Sequence, residues 1–473
     1  MSQNEINNIS EVQAQFDGKK YYMPSFYRIN LGVLADFMDI PNIPFGSFSA
    51  FLHEYIHFLQ DVTTMYGMMV LGTTTYYIRD VASRFTMKNC TFDVPQQLTQ
   101  DRSDYGLLNA NLRNIYKGSS ICPMRRDVDI LEYSIQQDQI DGKEIERVFV
   151  SCIDKTTGEN FTFYFGGNIL CEGMAYMVQR KCYDEVYQQN GLNPLKLSEY
   201  PYLINLSLAS LIYSELSEKI ELLVGIADIS LLTYNAGLTY VRLLEHLRDI
   251  HFLERYDESN IASIFDDLYE EGHKFVNWDI SRFKQVQDYS YNEFKEYFKL
   301  PIASEVNDWI YRLWIKAYEL REIAPHYIID LMIENNGDVR SNKIFSEILL
   351  GMGSPLVING DDEGTIIPPQ GFKPSPDFMP GIMWAVDEIG QIFDGRPEAV
   401  PCQLYDFCRK SSENHTSSNP HLSSIKVDDR CLTSPWCRSQ DDNALCPVAA
   451  IWRHWGLKNC QPNWKYSRCK HSI

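Results

Sequence analysis

The chain has 473 residues, 44% of them apolar and 22% charged, which allows a folded core spread over two or three domains and excludes the disordered and collagen-like classes. Its 63 acidic against 43 basic residues leave a formal charge of −20, and no stretch is dense enough in Lys and Arg to form a basic groove, so nucleic acid is not an expected partner. The polar opening MSQNEINNIS lacks the basic start and apolar stretch of a secretory signal, which makes a cytoplasmic location the expectation.

Three zones follow one another: residues 1–195, 196–354 and 355–473. The first mixes strand and helix signals. Tyr21 to Asn30 is short, aromatic and strand-like. Phe45 to Val62 then reads as one helix, because Phe48, Phe51, Leu52, Tyr55, Ile56 and Leu59 recur at steps of three and four. This helix contains His53-Glu54-Tyr55-Ile56-His57. Two His four residues apart project from one face, so both imidazoles reach one tetrahedral Zn²⁺, and Glu54 stands where it can act on a water at the metal. Two His that simply pack in the helix are the competing reading. The apolar flanks weigh against it, since buried imidazoles and a buried carboxylate are costly without a metal or partner. Asp61, one turn beyond His57, is either a group that orients a ligand or a solvated helix residue.

Val62 to Ile78 is the longest uncharged segment. With 17 residues, five Thr and two Gly it is too short and polar to span a membrane, and reads as a core helix running into a loop. Further on, Glu146 to Gly167 reads as two strands around a Thr-Gly turn. A Gly-Gly-Asn turn then starts a helix that carries Glu172 among Ile169, Met174, Ala175 and Val178, with small residues beside it that let another helix approach. A catalytic zinc site needs a third protein ligand and leaves its fourth position to water; Glu172 is the best candidate, against the alternative of a carboxylate on the helix surface.

These two segments together resemble the zincin metallopeptidases, specifically the gluzincin branch. The resemblance rests on HEYIH and on CEGMAY, the latter similar to the Glu-Gly-aromatic-Ala segment of zinc aminopeptidases. It implies a zincin-like catalytic region within residues 1–195, zinc ligands at His53, His57 and Glu172, and general acid/base catalysis by Glu54. It also implies a protein or peptide as substrate. The departure is the 114 residues between His57 and Glu172, a longer separation than in the best-known gluzincins. Restraint of such a peptidase calls for a regulatory protein partner, although no residue identifies one.

From Pro201 to Leu350 apolar residues recur at helical spacing, with Asp or Ser ahead of several runs as caps, so this zone reads as a helical bundle. Pro and Gly between Pro355 and Pro380 mark an irregular connection. Beyond it lie seven of the 12 cysteines, with His415, His421 and His454 among them and no CxxC pair. Three readings stand for this end: thiols packed among Trp residues, a redox-responsive tail, or a second metal centre, Zn²⁺ or an iron–sulfur cluster, on Cys408, Cys431, Cys437 and Cys446.

The expectation is therefore a predominantly helical α+β protein with no membrane span, acting as a zinc peptidase. The alternatives are a catalytically inactive zincin-like scaffold and an interaction protein organised by its Cys-rich end.

Overall fold

A computed structural model describes residues 21–23, 28–31, 39–86, 91–94, 114–119, 126–140, 143–189, 197–255, 261–300, 303–333, 339–359, 364–375, 378–395, 401–406, 408–409, 427–441 and 446–464. Among the described residues the protein is mostly helical, with three small sheets.

Two short strands, β1 (Tyr21–Met23) and β2 (Arg28–Asn30), are the first described elements and form an antiparallel pair. Helix α1 (Phe45–Thr63) follows, buried at every position except His57. Apolar side chains surround it because it runs through the main core, so its polar groups all need partners inside the protein. The sequence pattern has α1 running into a loop. Instead the chain breaks only at Thr64, which has extended backbone angles, and resumes as α2 (Met65–Thr86). The buried Thr hydroxyls make this possible by bonding within the helices. Thr64 donates to the Gln60 carbonyl (2.6 Å) and its oxygen accepts the Gly67 amide (3.0 Å), while Thr75 donates to the Leu71 carbonyl (2.9 Å). Among the described residues no helix is long and apolar enough to cross a membrane.

Strand β3 (Thr91–Val94) leads to a three-stranded antiparallel sheet of β4 (Val128–Ile140), β5 (Lys143–Asp154) and β6 (Asn160–Phe165). The expected turn joins β5 and β6: the Asp154 carboxylate accepts the amides of Thr156 and Thr157, and Gly158 takes a positive φ of 72°. Alternation is clear, with Val148, Val150, Cys152, Phe163 and Phe165 all buried on one face. The sheet delivers the chain directly into α3 (Gly167–Gln189). A side chain at Gly167 would collide with the Tyr66 ring, its Cβ lying 2.1 Å from that ring, so only glycine lets the helix start so close to α2.

The middle of the chain is helical, as its spacing predicts. It comprises α4 (Ile204–Ile212), α5 (Ile220–Leu231), α6 (Ala236–Asp249), α7 (Ile261–Phe275), α8 (Ile280–Tyr297), α9 (Ser304–Ile323), α10 (Tyr327–Ile333) and α11 (Lys343–Met352). Asp279 and Asn342 cap α8 and α11 by accepting the amides of Ser281 and Phe345. A buried pair, Arg321 on α9 and Asp228 on α5, closes over the end of α1, where Arg321 also donates to the Thr63 carbonyl (3.1 Å).

The stretch after Pro355 is not wholly irregular. Strand β7 (Leu356–Ile358) lies parallel to β2, with Ile29 opposite Val357, and pairs in turn with β8 (Gly364–Thr365). Three residues carry too little pattern to announce a strand, and only the partner 328 positions earlier defines it. Helices α12 (Ile382–Phe393) and α13 (Pro447–His454) add Trp384, Phe393 and Trp452 to the main core, and β9 (Gln461–Trp464) pairs in parallel with β3.

Candidate metal centre

Helices α1 and α3 pack antiparallel, locked by buried glutamines near each end of the contact. Gln179 of α3 donates to the Ser49 carbonyl (3.2 Å) and hydroxyl (3.0 Å) of α1, and Gln60 of α1 donates to the Cys171 carbonyl (3.1 Å) of α3. Close packing on the far side of α3 depends on Gly173, where a Cβ would come within 2.4 Å of the Asn205 amide on α4. The small residue beside Glu172 thus serves a helix approach, as its pattern suggests.

Between the two glutamine contacts, three ligand-type atoms face one another. His53 Nε2 lies 3.3 Å from Glu172 Oε2 and 3.3 Å from His57 Nε2, and His57 Nε2 lies 3.6 Å from Glu172 Oε2. Among the described residues this is the group of three or more His, Cys, Asp or Glu whose ligand atoms all fall within 4.8 Å of one another. The spacing can be tested against zinc. Bonds of about 2.0–2.1 Å in a tetrahedron separate neighbouring ligand atoms by roughly 3.3–3.4 Å. Two of the observed separations, 3.3 Å each, match that edge length and the third, 3.6 Å, is slightly longer, so the residues fit a tetrahedral ion with one position left over.

Electrostatics support the same reading. Burial acts to lower the His57 pKa, but the Glu172 carboxylate, through its charge and a hydrogen bond, outweighs burial together with Glu54 and raises it to about 9. Burial likewise acts to raise Glu172, yet the two imidazoles hold its carboxyl well below the usual range. Without a metal, His57 and Glu172 thus form an imidazolium–carboxylate pair, and a dication bound there would take the place of the proton.

The neighbours divide the roles. His53 is 3% exposed, packs edge-on to the Tyr202 ring at 6.0 Å, and has no hydrogen-bond partner for its buried Nδ1 among the described residues. His57, 11% exposed, is the position where α1 meets solvent, and its Nδ1 is bonded to Gln60 Oε1 at 2.8 Å. Glu54 is buried and close enough to His57 for its charge to act on it. Asp61, the residue suspected of orienting a ligand, is buried as well, but its charge bears on Cys171 and Tyr66, where it adds to burial, the main cause that raises both. Gln60 is the residue that bonds the imidazole. It escapes a search for acidic partners, although positions 53, 57 and 60 share one helix face and a glutamine on that buried face is a signal in itself.

The nine described cysteines of the chain are free thiols, and six of them, Cys402, Cys408, Cys431, Cys437, Cys446 and Cys460, lie in the Cys-rich end. Cys402, Cys408, Cys431 and Cys446 are near neighbours: the Cys402 amide donates to the Cys431 carbonyl (2.8 Å), and burial, followed by the other thiols, pushes Cys408 up. Cys446 precedes α13, where burial raises its thiol while the Ala449 and Val448 amides draw it down. Arg438, paired with Asp428, reaches the Cys431 sulfur at 3.8 Å. Cys437 is half-buried against the main core. Among the described residues, no three of these sulfurs come within 4.8 Å of one another. His415 and His421 lie outside the described residues.

No family model, curated protein or solved structure matches this chain. The site therefore has to be read from its own chemistry.

Proposed function

We propose that this chain is a zinc-dependent peptidase whose ion is held by His53, His57 and Glu172 and whose general base is Glu54. The observation that carries the proposal is the set of three ligand-atom separations of 3.3, 3.3 and 3.6 Å, delivered by two helices with 114 residues between His57 and Glu172. The resemblance of HEYIH and CEGMAY to the two gluzincin ligand segments supports the peptide as substrate. Zinc bound there supplies Lewis-acid activation of a water and of a substrate carbonyl. Glu54, next to His53 on the same buried helix turn, takes the proton from the attacking water and hands it to the departing amine nitrogen. Glu172 brings a negative charge to the centre, and the two imidazoles remain neutral donors when the ion is held. A purely structural ion has no use for a carboxylate in the position of Glu54.

Metal analysis of the full-length protein, combined with mass-spectrometric digestion of a mixed peptide library, tests this. Expected are one equivalent of zinc in the wild type, none in His57→Ala, and full zinc with library cleavage at least about 100-fold slower in Glu54→Gln, because the amide keeps the shape and loses the proton acceptor. Cleavage by Glu54→Gln at the wild-type rate overturns the mechanism. Full zinc with no cleavage by the wild type would favour the inactive scaffold.

A further inference from the structure

We propose that Gln60 is the positioning residue of this centre: it selects the His57 tautomer that presents Nε2 to a metal, and ties that choice to the helix that carries Glu172. The inference rests on the metal-centre reading above and deepens it. Gln60 is 2% exposed, with both ends of its amide engaged. The order of these contacts matters. The Cys171 carbonyl can only accept, so the NH₂ end of the Gln60 amide must face it, at 3.1 Å. That leaves Oε1, an acceptor, against His57 Nδ1 at 2.8 Å, and Nδ1 must therefore carry a hydrogen. A neutral His57 then has its lone pair on Nε2, the atom that faces His53 Nε2 and Glu172 Oε2. A backbone carbonyl one residue before Glu172 thus dictates a tautomer on the opposite helix.

The two imidazoles are consequently not equivalent. His57 is oriented by hydrogen bonding, whereas no described group bonds Nδ1 of His53, which is held by packing against Tyr202. Removing the Gln60 acceptor frees His57 to tilt and to place its hydrogen on Nε2, which blocks the ligand position. Outer partners of this kind are generally worth about 10–100-fold in metal affinity.

The experiment measures zinc dissociation constants by chelator competition in the full-length wild type, Gln60→Met, Gln60→Glu and Gln179→Met. Long-range ¹H–¹⁵N imidazole spectra of the chelator-treated proteins, recorded at about pH 10 where the imidazole is neutral, report the His57 tautomer. Gln179→Met is the control, since it removes an equally buried glutamine joining the same two helices without touching His57. Expected are zinc binding about 10–100-fold weaker and a mixed His57 tautomer in Gln60→Met, with both unchanged in Gln179→Met. Gln60→Glu retains the acceptor and should recover most of the affinity, and it carries the test should Gln60→Met not fold. Wild-type affinity in Gln60→Met, equal losses in Gln60→Met and Gln179→Met, or Gln60→Glu binding zinc no better than an unliganded control overturns the positioning role. Failure of the wild type itself to bind zinc overturns the metal centre instead.

Discussion

At the scale of single residues, His57 and Glu172 make the centre sensitive to pH in a direction that can be worked out. Without metal, the raised His57 pKa of about 9 contributes stability that is fully present below its ordinary value of 6.5 and disappears as pH climbs through about 9. The depressed Glu172 contributes stability that is present above its ordinary 4.5 and is lost as pH falls through its lowered value. The chelator-treated protein should therefore show a falling Tm between pH 7 and pH 10. Zinc must displace the His57 proton, so zinc affinity should tighten by about tenfold per pH unit over the same range up to about pH 9. A flat affinity profile between pH 7 and pH 9 would show that the imidazole is not a ligand. Glu172→Ala should resemble His57→Ala in metal content, since both remove a member of the three-residue group that could hold the ion. These residues were legible in the sequence because their signals are local: a four-residue helical step and a turn that opens a helix. Gln60 was not, because its role depends on Cys171, 111 positions away.

Elements fix how accurately those residues meet. Gly173→Ala ordinarily favours a helix by about 1 kcal/mol, but here the new methyl must displace Asn205 and break its bond to the Leu170 carbonyl (3.0 Å). Overpacking of this kind costs about 1–3 kcal/mol, so the clash outweighs the propensity. A lowered Tm together with weaker zinc binding is expected, because the helix that shifts carries Glu172; a gain in Tm would contradict the packing described. At the other end of α1, Arg321→Met leaves Asp228 buried without its cation and takes a donor from the Thr63 carbonyl. The expected loss is about 3–5 kcal/mol, read from denaturant unfolding, and a change below 1 kcal/mol would mean the pair is solvated. No periodicity announces this pair. Asp228 sits in a helix buried from Leu222 to Leu231 and Arg321 on another helix 93 positions later, and only the tertiary arrangement makes partners of them.

The molecule as a whole does not separate where its composition changes. The zones read from the sequence share one core, and two parallel strand pairings, β2 with β7 and β3 with β9, stitch the last zone to the first. Ending the chain after residue 354 removes Trp384, Ile389, Phe393 and Trp452 from that core. At about 1.5–3 kcal/mol per buried side chain, those four alone approach the whole stability of a typical domain, about 5–15 kcal/mol. The truncated chain should show no cooperative melt, while changing Cys431 and Cys437 together to Ser should lower the Tm and leave one equivalent of zinc at the centre. The helix α1 also has a temporal meaning. Its Tyr55 hydroxyl donates to the Gly353 carbonyl (2.8 Å) from a position 298 residues earlier. On a ribosome adding about 5–20 residues per second, roughly 15–60 s pass between the emergence of the two, and until then α1 lacks part of its surroundings. The helix that carries HEYIH thus waits for a partner that is made some 298 residues later before its buried face is closed.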